Sequence, residues 1–135
     1  RLYAMVGPAQ QNDFFTRTAH AEYAGKHLLI DIWGATSLDN RAHIEKALTE
    51  AVTAAGATLL HIHSHQFTSS GGISGAAILA ESHITVHTWP ERDFAAFDVF
   101  MCGNARPERV VDIIKAYFTP ERVEVNTHHR GYTEL

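Results

Sequence analysis

The chain has 135 residues, of which 45% are hydrophobic, and a formal net charge of −4 with histidines neutral. That length suggests one domain with a core of its own, and the acidic balance offers no electrostatic footing for nucleic acid or an anionic membrane surface. The single cysteine, Cys102, excludes an intrachain disulfide and fits a reducing cytoplasm, and no apolar run approaches the length of a membrane span.

Residues 1–24 are polar and irregular, with Pro8, Gln10, Gln11, Asn12 and Asp13 close together. They carry no apolar core of the signal-peptide kind. They read as an N-terminal extension or a loosely attached arm ahead of a single domain over 25–135. Lys26 to Gly34 is apolar and β-prone, a predicted strand ended by glycine. Leu38 to Gly56 is a predicted helix: Ile44, Ala47, Leu48, Ala51 and Val52 recur at helical spacing, Asp39 or Asn40 can cap it, and Gly56 stops it. Ala57 to Phe67 is a predicted strand with His61, His63 and His65 on one face, followed by the small-residue loop Thr68–Gly72. Ile73 to Trp89 is apolar apart from Glu81-Ser82-His83, and Pro90 closes it. Phe94 to Met101 alternates as a strand. Arg106 to Phe118 is a second helix with Pro107 early, where its missing donor costs nothing, and Arg122 to Thr127 is a last strand before a polar tail.

The loops joining the central strands are too short for parallel crossovers, so the sheet is expected to be mostly antiparallel. Two helices on one face make an α+β two-layer sandwich. The surplus of apolar strand residues suggests burial of the second face as well, most simply in a homodimer.

Read locally, Glu81-Ser82-His83 is a polar turn between two hairpin strands. Its company is more specific. Ser74-Gly75, Ala80-Glu81-Ser82-His83, Thr85, His87-Thr88-Trp89-Pro90-Glu91 and Phe97-Asp98-Val99-Phe100-Met101-Cys102-Gly103 together resemble the self-processing core of the prokaryotic S-adenosylmethionine decarboxylases. Gly25-Lys26-His27-Leu28 and Arg130-Gly131 are similar to further segments of that family, so the resemblance runs from about Gly25 to Gly131. It implies a self-cleaving, pyruvoyl-dependent carboxy-lyase. The Ser82 hydroxyl attacks the Glu81 carbonyl, the ester that forms is eliminated, and the serine becomes a pyruvoyl group. The products are a β chain of residues 1–81 and an α chain of 82–135. Serine suits both roles, as nucleophile and then as leaving group. The pyruvoyl carbonyl forms a Schiff base with the substrate amine and accepts the electron pair left by carbon dioxide, so neither metal nor pyridoxal phosphate is expected.

The resemblance also assigns supporting roles. His87 handles protons during processing, as an imidazole can near neutral pH. Ser74 stabilises the processing intermediate. Cys102 returns a proton to the substrate carbon; taken alone, a single cysteine is as readily inert packing. Glu91 holds the ribose hydroxyls of the substrate, and Trp89 and Phe67 belong to the substrate site. Phe67 reads equally as an adenine-stacking ring or as core. The loop before Ser74 is one residue longer than is common in the family. The implied partners are a small-molecule substrate and a second processed αβ unit, and the implied product is an aminopropyl donor for spermidine synthesis in the cytoplasm. Three other readings stay open: the same chemistry on ornithine or arginine, a relative that never cleaves, and a metal-binding module using His61, His63 and His65 with His20, His128 and His129.

Overall fold

The computed structural model describes residues 13–135. Two short strands, β1 (Thr16–Arg17) and β2 (Ala21–Tyr23), precede β3 (Gly25–Trp33) and helix α1 (Arg41–Ala54). Then come β4 (Leu59–Gln66), β5 (Ile73–Leu79), β6 (Ser82–Trp89), β7 (Phe94–Cys102), helix α2 (Val110–Phe118), β8 (Arg122–Arg130) and β9 (Thr133–Glu134). The main sheet has six strands in the order β4-β5-β6-β7-β3-β8, and every neighbouring pair is antiparallel. Strands β4 to β7 form a meander. The helices carry the longer crossings: α1 leads from β3 to the edge strand β4, and α2 leads from β7 round to β8. The chain is thus the α+β, mostly antiparallel sandwich that the short central loops predict.

Period-two alternation decides which side of each strand is core. Leu28, Ile30 and Ile32 of β3, Ile84 and Val86 of β6, and Ala95, Phe97, Val99 and Met101 of β7 are buried against the helices. Helix α1 answers with Ile44, Ala47, Leu48, Ala51 and Val52, and α2 with Val110, Ile114 and Phe118. The N-cap of α1 is Asn40, whose side chain accepts from the His43 N–H at 3.0 Å. Helix α2 is entered through a 3-10 turn at Pro107–Arg109 and stops at Thr119, which is left-handed at φ 40°. No helix among the described residues is long and apolar enough to cross a membrane.

The opposite face of the sheet has no helix over it. It displays His63, His65, Ser74, His83, Thr85, His87, Asp98 and Cys102, interleaved with the exposed or half-exposed Leu29, Ile78, Trp89 and Phe100. Every residue of interest to the chemistry lies on this open face or at its rim.

Of the two readings of residues 1–24, the described part, residues 13–24, is a packed extension and not a loose arm. Strands β1 and β2 pair with each other and with β9 in a small second sheet. Ala21 and Glu22 are buried, and Arg17 meets Glu22 at 2.7 Å. The Gly103 N–H donates to the Phe14 carbonyl at 3.0 Å, which ties the extension to the end of β7. The last long strand also runs past Thr127 to Arg130. Pro8, Gln10, Gln11 and Asn12 lie outside the described residues.

Candidate active site

Strands β5 and β6 are joined by the two residues Ala80 and Glu81, with Leu79 paired to Ser82. Two-residue hairpins favour turns with positive φ in the loop, because those match the twist of the strands. Here neither loop residue has a positive φ; Ser82, the first residue of β6, does, at 147°. A serine held there costs about 1–3 kcal/mol. The regular alternation of 80–88 is therefore broken at the Glu81–Ser82 junction.

The Glu81 carbonyl oxygen has two donors. The Cys102 backbone N–H reaches it at 3.0 Å, and the Cys102 thiol also reaches it at 3.0 Å. Antiparallel pairing of β6 with β7 sets Ser82 opposite Met101, which brings the next residue, Cys102, beside the turn. Gly25 sits across from Cys102 on β3, where any Cβ would overlap the Met101 carbonyl. A glycine is what lets the strands close up at this end of the sheet. Two donors fixed on one carbonyl withdraw charge from its carbon and are placed to receive charge on its oxygen.

A second group gathers elsewhere on the open face. Ser74 and His87 are directly paired across β5 and β6, and Ser74 Oγ is 2.9 Å from His87 Nδ1. They line a shallow groove of about 310 Å³ with His63, His65 and Thr85. Trp89 flanks His87, with ring centroids 6.4 Å apart. Phe67 is 47% exposed and packs edge-on against His65, which excludes the core reading of that ring. Glu91 is exposed on a 3-10 turn, Pro90–Arg92, just beyond Trp89. Ser82 and His87 are five residues apart on one strand, about 16 Å at 3.3 Å per residue. One chain therefore presents two separate groups: Glu81, Ser82 and Cys102 at one end of β6, and Ser74, His87, Trp89, Phe67 and Glu91 towards the other.

Between them lies a cluster to which the sequence reading assigned no role. Asp98 Oδ1 receives His27 Nε2 at 2.7 Å and His83 Nε2 at 3.1 Å. The only sign of it in the sequence is an acid in the middle of the apolar strand Phe94–Met101. Burial pushes the Asp98 carboxyl up, but hydrogen bonds from His83 and His27, with their charges, outweigh it and leave the group below its ordinary value. These three are the only such set among the described residues close enough to share a metal ion. The Arg130 guanidinium, always a donor, stands 3.2 Å from His27 Nδ1. The histidines of the alternative metal-binding module are not gathered in one place. His61, His63 and His65 lie on β4 and His128 and His129 on β8, the two opposite edges of the sheet.

Residues 26–131 match the family model described as S-adenosylmethionine decarboxylase. The chain belongs to the S-adenosylmethionine decarboxylase family. Its relatives include the S-adenosylmethionine decarboxylase proenzyme of Methanococcus maripaludis strain S2, 46% identical over 79% of this chain and 89% of that protein. The proenzyme of Thermomicrobium roseum is 40% identical over 79% of this chain and 93% of its own length. Among solved structures, the adenosylmethionine decarboxylase of Aquifex aeolicus superposes with a TM-score of 0.74 at 36% identity, covering 81% of this chain and 92% of that one. The family match takes in the main sheet and both helices and leaves β1, β2 and β9 outside it.

Proposed function

We propose that this chain is an S-adenosylmethionine decarboxylase that makes its own pyruvoyl group by cutting itself between Glu81 and Ser82. The reading is carried by the Glu81 carbonyl, gripped by the N–H and thiol of Cys102 beside a serine of strained backbone. In the first step the Ser82 hydroxyl adds to the Glu81 carbonyl carbon. The Cys102 donors receive the charge that develops on the oxygen. The Glu81–Ser82 carbon–nitrogen bond breaks, the nitrogen takes the hydroxyl proton, and an ester stands in place of the amide. Removal of the Ser82 α-proton then expels the Glu81 carboxylate, which is the end of a 1–81 chain. Hydrolysis of the resulting dehydroalanine, with loss of ammonia, leaves the pyruvoyl group at the head of an 82–135 chain.

Once formed, the pyruvoyl group supplies an electrophilic carbonyl that condenses with the substrate amine and accepts the electron pair left by carbon dioxide. The residues present fit that group: Cys102 lies beside the position it would occupy, with a free thiol to return a proton. Neither metal nor pyridoxal phosphate is required. A working thiol calls for reducing surroundings, in keeping with the cytoplasm. Glu91, Trp89 and Phe67, exposed at the rim beside Ser74 and His87, form the face that takes the ribose and adenine of S-adenosylmethionine. The product is an aminopropyl donor for polyamine synthesis.

The two groups on the open face call for a second copy of the chain. A two-fold dimer that stacks these faces sets the Ser74–His87 pair of one protomer against the Glu81–Ser82–Cys102 end of its partner, and covers Leu29, Ile78, Trp89 and Phe100. Two experiments test the reading. Denaturing mass spectrometry of the purified protein should give two fragments meeting at 81/82, the second beginning with a pyruvoyl group; a single intact chain, stable over days, would overturn it. Carbon dioxide release measured side by side should be fastest on S-adenosylmethionine, and faster release from ornithine or arginine would reassign the substrate.

A further inference from the structure

The structure points to a job for the side chain of Glu81 that is separate from its being one side of the cut bond. Its carboxylate is held by one residue, Thr58, which precedes β4. The Thr58 N–H donates to Glu81 Oε1 at 2.8 Å and its hydroxyl to Oε2 at 3.2 Å. The Thr58 carbonyl accepts the Ala80 N–H at 3.0 Å. Both loop residues of the β5–β6 hairpin are thus moored to Thr58, while the Glu81 carbonyl is moored to Cys102 on the far side.

The turn needs such holding. Ala80 and Glu81 lack the positive φ that would let a two-residue hairpin follow the twist of its strands, and the mismatch falls on Ser82. Left to itself, a turn of this kind relaxes by swinging its peptide, and the Glu81 carbonyl would leave the Cys102 donors. The Thr58 clamp opposes that swing from one side and Cys102 from the other. Glutamate suits position 81 because a carboxylate offers two acceptors to the two donors of Thr58.

We propose that Thr58 is a positioning residue for self-cleavage: it grips the Glu81 side chain and so keeps the scissile carbonyl on its oxyanion donors during attack by Ser82. The proposal rests on the self-cleavage reading. The assisted step is an isomerisation. One carbon–oxygen bond forms, one carbon–nitrogen bond breaks, a proton passes from Ser82 Oγ to Ser82 N, and no co-reactant enters. Thr58 touches none of these atoms and acts through Glu81.

The test separates the acyl shift from the elimination that follows. In a His87→Ala chain, where elimination is slowed, the ester accumulates and hydroxylamine cuts it. That releases a second fragment that still begins with serine. Adding Thr58→Val should lower the rate of hydroxylamine-dependent cutting about three- to tenfold, as loss of one hydrogen bond implies. Thr58→Ser, which keeps the hydroxyl, should restore it. Glu81→Ala, which removes both acceptors, should slow it further than Thr58→Val. Thermal unfolding of each variant identifies any that fails to fold, and Thr58→Ser with Glu81→Ala then decides the matter. Cutting of Thr58→Val at the parent rate would overturn the role of Thr58 while leaving self-cleavage intact. A chain with native Glu81, Ser82 and His87 that is never cut at 81/82 would overturn the self-cleavage reading itself.

Discussion

Ser74 and His87 face each other across β5 and β6 with 2.9 Å between hydroxyl and imidazole, yet Ser82, five residues back along the same strand, is not with them. If His87 works on Ser82, it works on the Ser82 of another copy. This gives a complementation test. A Ser82→Ala chain has no nucleophile, and a His87→Ala chain stalls at the ester. In a dimer of one of each, the Ser82 of the His87→Ala chain meets the intact Ser74–His87 pair of its partner. Co-expression should therefore restore cutting of the His87→Ala chain, up to about half of it with random assortment. No cutting above that of His87→Ala alone would place the whole site within one chain.

Cys102 gives two donors to one carbonyl, and only one of them is a side chain. Cys102→Ala keeps the backbone donor, so self-cleavage should slow about tenfold without stopping, as for the loss of one hydrogen bond. Turnover by the chains that do become cut should fall far more, because the thiol is the proposed proton donor to product. Cys102→Ser restores a hydroxyl donor and should recover cleavage better than turnover. A denaturing-gel time course gives the first rate, and carbon dioxide release per cut chain gives the second. Unchanged carbon dioxide release per cut chain would leave Cys102 with a role in processing alone.

The fold was largely legible because its signals are local. The stripe of Ile44, Leu48, Ala51 and Val52 specified α1, and the alternation over Phe94–Met101 specified β7 and its buried face. The site was legible only as a set of residue types. Strict alternation separates Ser82 from His87, and the structure keeps that separation, whereas Cys102 reaches Glu81 through a pairing of β6 with β7 that no spacing announces. Asp98 was visible as an acid in an apolar strand, but its partners, His27 and His83, arrive from two other strands. Thr58 gave no signal at all, since its contact with Glu81 spans 23 residues at the edge of the sheet. Whether the N-terminal segment packs or hangs loose was not legible, because its polar composition hides a pairing with β9 at the opposite end of the chain.

Glu91 is exposed and among the residues proposed to bind substrate. A carboxylate accepting from a ribose diol should matter chiefly to binding. Glu91→Gln should raise KM for S-adenosylmethionine about tenfold or more, as for hydrogen bonds to a charged group, with a smaller change in kcat. Self-cleavage should proceed at the rate of the unaltered chain, since the diol is absent from that reaction. A fall in kcat with KM unchanged would remove Glu91 from ribose binding and assign it to the chemistry.

Asp98 makes a prediction about acid. Its folded carboxyl titrates below the ordinary carboxylate range, because the hydrogen bonds and charges of His83 and His27 outweigh the opposing effect of burial. In the unfolded chain that help is absent, so the unfolded state binds the proton more readily. The stabilisation is therefore fully present above the ordinary aspartate pKa of about 3.9, and it drains away as pH falls through the lower folded value. The side chain is about a third exposed, so solvent screens the pair and the effect is modest. Asp98→Asn should lower Tm by a few degrees at neutral pH, roughly 2–6 °C for a domain of this size. The gap should narrow as pH falls below about 4, where the aspartate of the unfolded chain takes up its proton first, and should close once pH has passed the lower folded value. Melting curves of Ser82→Ala and Ser82→Ala/Asp98→Asn, both uncut, make the comparison at one state of processing. A gap that stays constant down to the lowest pH would show that Asp98 contributes by shape and packing and not by charge.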